Sequence, residues 1–227
     1  MRLLLDLHVD LEAVNDDGDT ALIKAASNCN SICLQLLVDA RADVHALVSK
    51  DFTALRWAAT NNLVDWMRHL IAANADIDAR AVHGMNALHQ TALRGQTDCL
   101  QLLLDARAGI EIGDENGRTP LIWAVREGHL DCVRRLIEAD ADIDAADYSG
   151  RTALHHAAST SCTDCVQFLI DANADFEAVD VDGCNVLMAA AKGMWKDTLQ
   201  LVIDHILDMA KSEEATPSSE VWSPQSD

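Results

Sequence analysis

Four side chains that could bind a metal or carry out thiol chemistry lie close together in the sequence, at His155, His156, Cys162 and Cys165. A C-x-x-C pair near a helix start is a place where thiolates are activated. However, no thioredoxin-like βαβ pattern surrounds this pair, and Cys165 falls in an apolar helical stripe. Structural zinc requires four ligands that converge tetrahedrally. We therefore interpret Cys165 as a core residue and Cys162 as incidental, and keep a redox or metal site as the least favoured alternative.

The chain offers no other set of residues for catalysis. No acid–base pattern and no glycine-rich phosphate loop accompanies the cysteines and histidines. Trp57 and Trp123 share one position of a predicted helix, and we interpret them as packing residues rather than as a cofactor box. The sequence therefore predicts a protein that is not an enzyme and has no catalytic residues, no metal and no cofactor.

The helices that would position these residues belong to a unit that recurs at one constant spacing without insertions. A threonine or asparagine marks each copy, at Thr20, Thr53, Asn86, Thr119, Thr152 and Asn185. A leucine follows two positions later in every copy, at Leu22, Leu55, Leu88, Leu121, Leu154 and Leu187. Self-similarity at a fixed period of about 20–50 residues is the signature of a repeat architecture.

The copy at 114–146 shows most completely how one unit folds. Thr119 followed by Pro120 predicts a helix start, because a threonine oxygen caps orphan N–H groups and proline fits the first helical position. A second helix is predicted from about Leu130. Its apolar stripe lies at Cys132, Val133, Leu136 and Ile137. The stretch 142–150 is predicted to be an extended hairpin that leads into the next unit. One unit cannot bury its apolar face alone, so neighbouring units must stack.

These units resemble the ankyrin repeat in their length, which is about 33 residues in that family, and in its signature T-P-L-H-x-A. The histidine of that signature is present at His89 and His155. The resemblance implies an all-α solenoid in which helix–turn–helix units are joined by β-hairpin loops. It also implies that His155 braces the hairpin and the first helix, which argues further against zinc.

The repeat divides the chain into an ankyrin-like domain and a tail. The predicted domain covers residues 1–210, with a partial unit at 1–14 and full units at 15–47, 48–80, 81–113, 114–146, 147–179 and 180–209. Residues 211–227 are rich in Ser, Pro and Glu, and we predict that they form a disordered acidic tail because they cannot bury enough apolar surface. The incomplete first unit favours the hypothesis that the chain is a piece of a longer polypeptide.

Charge and hydropathy limit the partners and the compartment. The 227-residue chain has a formal net charge of -20, whereas affinity for nucleic acid rests on neutralising phosphates. No apolar run approaches the roughly 20 residues of a membrane span. Equivalent cysteines of neighbouring units, such as Cys33, Cys99, Cys132 and Cys165, are expected to be buried thiols too far apart for disulfides. We therefore expect a monomeric cytoplasmic or nuclear protein that binds neither nucleic acid nor membrane.

The resemblance also implies where a partner would bind, namely on the concave surface formed by hairpin tips and first helices. Basic residues map to this surface by their phase in the unit, at Lys50, Arg80, Arg94, Arg118, Arg126, Arg151 and Lys192. Apolar residues map to the hairpin tips, at Phe52, Val82, Met85 and Tyr148. We predict that Phe52, Met85 and Tyr148 are exposed anchors for a partner, and that the arginines select its acidic residues. The predicted partner-binding residues are Phe52, Met85, Arg94, Arg118, Arg126, Tyr148 and Arg151.

Two functions are compatible with this pattern. The first is a non-catalytic protein–protein interaction module or scaffold that binds a partner protein or an acidic peptide segment in its concave groove. The alternative is the ankyrin arm of a longer enzyme, ubiquitin-ligase adaptor or channel, which recruits a substrate or partner. The sequence upstream of Met1 would discriminate between them.

A last prediction concerns the backbone. Ankyrin units usually place a left-handed glycine where the second helix ends, but here that position holds Arg41, Asn74, Arg107, Asp140 and Asn173. Asparagine and aspartate tolerate this conformation, whereas arginine should cost about 1 kcal/mol per site.

Overall fold

The computed structural model describes residues 10–16, 18–28, 31–45, 47–48 and 52–214. Twelve α-helices lie in this part of the chain: α1 Ala21–Ser27, α2 Ser31–Asp39, α3 Ala54–Thr60, α4 Val64–Ala72, α5 Ala87–Arg94, α6 Thr97–Asp105, α7 Pro120–Arg126, α8 Leu130–Glu138, α9 Ala153–Ala158, α10 Thr163–Asp171, α11 Val186–Gly193 and α12 Lys196–Glu214. One short antiparallel strand pair, β1 Leu47–Val48 and β2 Phe52–Thr53, joins α2 to α3. The predicted all-α solenoid is confirmed.

The helix starts follow from the threonine or asparagine that recurs once in every unit. The Thr119 hydroxyl accepts a hydrogen bond from the backbone N–H of Ile122, and Pro120 occupies the first turn of α7. Asn86 and Thr152 each cap a first helix together with a histidine three residues later. The predicted start of the second helix at Leu130 is correct.

Helix pairs stack in sequence order, which creates one continuous core. First helices contact the first helices of neighbouring units, and second helices contact second helices. The recurring leucines Leu22, Leu55, Leu88, Leu121 and Leu154 are buried between them. Alanines such as Ala58, Ala124 and Ala157 are also buried. Such small residues let the two layers of helices approach closely.

Backbone hydrogen bonds join the hairpin tips of neighbouring units. The N–H of Glu115 donates to the carbonyl of His83 at 3.0 Å, and the N–H of Tyr148 donates to the carbonyl of Asn116 at 2.9 Å. The N–H of Val181 donates in the same way to Ser149 at 2.9 Å. The tips therefore form a continuous ridge, and a side chain on this ridge packs against the tip next to it.

A ladder of carboxylates also joins neighbouring units. Each of its members accepts a hydrogen bond from a backbone N–H of the next unit: Glu12 from Asp43, Asp78 from Gly109, Glu111 from Asp142, and Asp144 from Asp175. These bonds are 2.7 to 2.8 Å long. Part of the negative charge of the chain therefore holds the stack together, in addition to any effect on solubility.

The predicted left-handed positions are confirmed. Arg41 has φ 65° and Arg107 has φ 63°, while Asn74, Asp140 and Asn173 share this conformation. Met194, which ends α11, has φ 58° where the equivalent residues of two earlier units are Gly95 and Gly128.

Two predictions about the helices differ from the structure. Cys33 is exposed rather than buried, because no earlier helix covers that face of α2 among the described residues. Helix α12 continues to Glu214, so four residues assigned to the disordered tail are helical. An ion pair of 2.8 Å between Lys211 and Asp208 lies in this extension. Residues 1–9 of the predicted partial unit and 215–227 of the tail lie outside the described residues. No helix in the described part is long and apolar enough to cross a membrane.

Candidate interaction surface

The predicted apolar anchors have different environments. Met85 was expected to be exposed, and this is wrong: only 6% of it is accessible. The backbone of Gly84 approaches Asp114 and Glu115 of the next unit so closely that a Cβ there would lie 2.9 Å from the Glu115 nitrogen. Neighbouring tips therefore pack together and enclose Met85. The side chain of Phe52 lies outside the described residues, as does that of Val82.

Tyr148 is the anchor that the structure leaves accessible, with 77% of its surface exposed. One edge of its ring covers Gly117 on the preceding tip, where a Cβ would lie 2.5 Å from Cδ1 of the tyrosine. The other large exposed hydrophobic residues of the described chain lie between positions 14 and 36 or between 179 and 209. On the central units, defined as residues 114–179, the members of this group are Tyr148 and Val179, and Val179 is the residue that ends the last central unit.

Trp123 carries two arginines on its ring. The guanidinium of Arg126 lies 4.7 Å from the ring centroid and that of Arg118 lies 5.4 Å from it. The indole N–H donates to Oδ2 of the buried Asp114 at 3.1 Å. The other oxygen of Asp114 accepts the backbone N–H groups of Asn116 and Arg118. The interpretation of Trp123 as a packing residue is therefore incomplete, since it also positions two cations.

Asp147 repeats this arrangement one unit later, with His156 in place of the tryptophan. Oδ2 of Asp147 lies 2.9 Å from Nε2 of His156, and Oδ1 accepts the N–H groups of Ser149 and Arg151. Burial raises the pKa of Asp147, but these hydrogen bonds outweigh burial and hold the pKa below its usual value. Burial lowers the pKa of His156 to about 4 despite the carboxylate. The ring is therefore neutral at pH 7 and donates from Nε2.

The predicted basic residues form a cluster around this pair of carboxylates. Arg118 Nε lies 4.0 Å from Asp147 Oδ2. Arg151 donates to the Ser159 hydroxyl at 2.6 Å. Burial first, and the charge of Arg118 second, lower the pKa of Arg126. One guanidinium nitrogen of Arg126, Nη1, has no hydrogen-bond partner among the described residues. Arg118, Arg126 and Arg151 are therefore brought together, whereas Arg94 is exposed at the end of α5.

A cleft of about 420 Å³ continues this surface into the last unit. Arg151, Ser159, Asp180, Cys184 and Lys192 are among its lining residues. Lys192 Nζ donates to Cys184 Sγ at 3.0 Å, and this contact raises the pKa of Lys192. The cleft therefore brings Lys192 near Arg151, together with the carboxylates of Asp180 and Asp182.

The two buried carboxylates of the surface were not predicted from the sequence. Asp114 and Asp147 occupy the same position in successive units, at the start of the similar stretches DENGRT and DYSGRT. An aspartate that precedes a tight turn caps the N–H groups of that turn. A comparison of the tip positions of successive units, like the comparison of the helix positions, would therefore have identified both residues.

The residues proposed for zinc or redox chemistry are largely engaged in packing. Nδ1 of His155 lies 3.0 Å from the Thr152 hydroxyl, and its Nε2 lies 3.1 Å from the carbonyl of Cys184. His155 therefore joins a first helix to the next hairpin, as the resemblance implied. Among the described residues, no three His, Cys, Asp or Glu side chains are grouped so that they could hold a metal ion. Cys162 and Cys165, in contrast, have their sulfurs 2.6 Å apart.

A family model described as ankyrin repeats (3 copies) matches residues 1–81, 67–147, 88–180 and 142–213, with overlaps. No curated protein matches the chain.

Proposed function

Since the chain belongs to the ankyrin repeat family, whose members are general protein–protein interaction modules, we propose that it is a non-catalytic scaffold that binds a partner through the central units. The partner is a protein, or an acidic peptide segment of one. The proposed contact residues are Tyr148, Arg118, Arg126 and Arg151, with Arg94 at the edge of the surface. Met85 is left out because it is buried, and Phe52 stays a prediction from the sequence.

The observation that carries this proposal is the unused charge of the arginine cluster. Asp114 and Asp147 accept backbone N–H groups and a ring N–H, so their oxygens are largely committed inside the protein. Arg118 and Arg126 are partly exposed and are held on the face of Trp123, and one nitrogen of each, Nε of Arg118 and Nη1 of Arg126, is buried without a hydrogen-bond partner among the described residues. A planar guanidinium held in this way binds carboxylates in two-point geometry.

The apolar contribution comes from Tyr148. An aromatic ring fixed on one side by Gly117 loses little conformational freedom when a partner covers its other face. Tyrosine and arginine are also the residue types that dominate binding energy at interfaces. Their combination on one ridge favours a short acidic segment that includes an apolar side chain.

The overall charge argues against nucleic acid and for a local electrostatic site. A chain of formal charge -20 repels a polyanion over long distances. Contacts of a few ångströms with three arginines are screened less than the field of the whole molecule. We accordingly propose a partner whose acidic segment is short, a monomeric scaffold, and a location in the cytosol or nucleus.

The test is affinity capture from a lysate with the double variant Arg118→Glu, Arg151→Glu, followed by mass spectrometry. Partners that the unchanged chain recovers should drop at least about tenfold in yield, because each change replaces an attraction with a repulsion. The matched control is Arg68→Glu, Arg135→Glu, which changes the net charge equally on second helices. Equal recovery with both double variants would remove the arginine cluster from the interface.

A further inference from the structure

The feature that the proposed function leaves unexplained is the pair of cysteines at the start of α10. Cys162 is the residue that precedes this nine-residue helix, and Cys165 lies in its first turn. Their Sγ atoms are 2.6 Å apart. That is well inside the roughly 3.5–4.0 Å at which heavy atoms normally pack, and a shift of roughly half an ångström would reach the length of a disulfide bond.

The geometry points to a dithiol that closes into a Cys162–Cys165 disulfide when the protein meets a peroxide. This would be a modification site at the turn between the two helices of the unit. It is independent of the arginine cluster, and does not rest on the proposed function.

Equivalent cysteines of other units show that the pair is specific to this one. Cys99 donates instead to the side-chain oxygen of Asn62 at 3.3 Å, and Cys132 lies 3.8 Å from the Thr97 hydroxyl. The residues at the position of Cys162 in these units are Gln96 and His129. Only the unit at 147–179 places a second thiol beside the thiol of its second helix, among the described residues.

The two sulfurs have different access, which assigns their roles. Cys165 is fully buried, whereas Cys162 is partly accessible. Burial raises the pKa of the Cys165 thiol, and the contact with Cys162 raises it further. Cys162 precedes the helix and is the thiol of the pair that solvent reaches. Cys162 is therefore the thiol that meets the oxidant, and Cys165 the thiol that resolves the product.

The chemistry balances with hydrogen peroxide as the oxidant. The thiolate of Cys162 attacks one peroxide oxygen, the O–O bond breaks, and the departing hydroxide takes up the proton that the thiol lost. The product is a sulfenic acid. The sulfur of Cys165 then attacks Sγ of Cys162, the S–O bond breaks, and hydroxide leaves with the proton of Cys165 as a second water. Two thiols lose two electrons in total, and peroxide is reduced to two waters.

The experiment treats the full reduced chain with one equivalent of hydrogen peroxide, alkylates the remaining thiols in denaturant, and measures intact mass and fragment ions. The expected result is the loss of two alkylatable thiols per chain, both mapped to Cys162 and Cys165, with a mass about 2 Da below that of the reduced chain before alkylation. Dithiothreitol should restore both thiols. Oxidation of Cys33 or Cys184 with Cys162 and Cys165 still alkylatable would overturn the proposal.

Two variants separate the paired reaction from general oxidation. Cys165→Thr introduces the residue that the next unit carries at the equivalent buried position, Thr198, so the variant should fold. It should keep no intramolecular bridge, and Cys162 should proceed to higher oxidation states. Cys132→Thr makes the same change one unit earlier and should leave the two-thiol loss unaltered. Loss of the bridge in both variants would show that packing, rather than the pair itself, governs the reaction.

Discussion

The central units and the last unit of the stack use the same sequence pattern in different ways. Asp147 in the centre accepts two backbone N–H groups and a ring N–H from His156, and is buried. Asp180 accepts the two backbone N–H groups alone, because the residue equivalent to His156 is Ala189. The centre therefore builds a network under its surface, whereas the last unit forms only the turn.

Exposed apolar residues also differ between the centre and the ends of the stack. Towards both ends of the described stack, residues such as Ile32, Val181 and Met188 are exposed where no further helix pair covers them. In the centre every first helix is covered on both sides, and Tyr148 is exposed all the same. Exposure at an end is explained by position in the stack, while exposure in the centre calls for a function.

The largest expected effect tests the buried network. Asp147→Ala leaves the N–H groups of Ser149, Arg151 and His156 without their acceptor, so we expect a loss of about 2–4 kcal/mol in the free energy of unfolding. Asp180→Ala is the matched change in the last unit and should have a clearly smaller effect. Urea denaturation followed by circular dichroism measures both. Similar losses would mean that the centre and the end do not differ.

The pH dependence of stability is the next largest effect. Burial lowers the pKa of both His89 and His156 to about 4, so between pH 6.5 and 4 the unfolded chain binds protons that the folded chain does not. Stability should therefore fall as the pH drops through this range, by about 1–2 kcal/mol per histidine at pH 5. The pKa of Asp147 is also lowered, so stability should fall further once the pH drops below the ordinary pKa of an aspartate.

His156→Gln isolates the central contribution to this pH dependence. Gln90 occupies the equivalent buried position of an earlier unit, and glutamine can still donate to Asp147. Denaturation curves at pH 7 and pH 5 should show a smaller difference for this variant than for the unchanged chain. An unaltered difference would locate the acid sensitivity elsewhere.

Binding offers a sharper comparison at a single hairpin position. Tyr148 and Val181 occupy the same position in successive units and are 77% and 73% exposed. Tyr148→Ala should weaken binding to a captured partner about tenfold, whereas Val181→Ala should leave it nearly unchanged. Titration of the purified partner measures both affinities. Equal weakening would extend the proposed surface into the last unit.

The smallest effects concern left-handed backbone. Arg107→Gly and Met194→Gly should each raise stability by about 1 kcal/mol, because glycine adopts positive φ without a steric penalty. Arg41→Gly should act in the same way, and each change should raise the melting temperature. Asn173→Gly is the control and should change little, since asparagine tolerates this conformation. The gain should be the same along the stack, unlike the effects above.

Periodicity was sufficient to predict most of the fold. The recurring threonine, leucine and small residues placed the helix starts and the core, because these positions depend on contacts that every unit repeats. The left-handed conformations at Arg41 and Arg107 were also predicted and confirmed. The family model supports ankyrin repeats over nearly the whole chain, and the count of six full units stays a prediction.

The surface was harder to predict because it depends on differences between units. Met85 and Tyr148 both looked like exposed tip residues, but the structure buries the first and leaves the second accessible. The contact of Trp123 with Arg118 depends on the distance between a hairpin tip and the first helix of one unit, whereas Arg126 lies three residues from Trp123 on the same helix. The contact between Cys162 and Cys165 depends on a side-chain rotamer, which the spacing alone does not reveal.

The carboxylate ladder has a mechanical consequence. His45 stands where the other units carry Glu12, Asp78, Glu111 or Asp144, so one rung of that series lacks a carboxylate. If the chain were pulled from its two termini, fewer hydrogen bonds between units would resist the force at the unit that carries His45. We expect the early segment to detach first in a single-molecule force trace, as a short extension before the remainder yields.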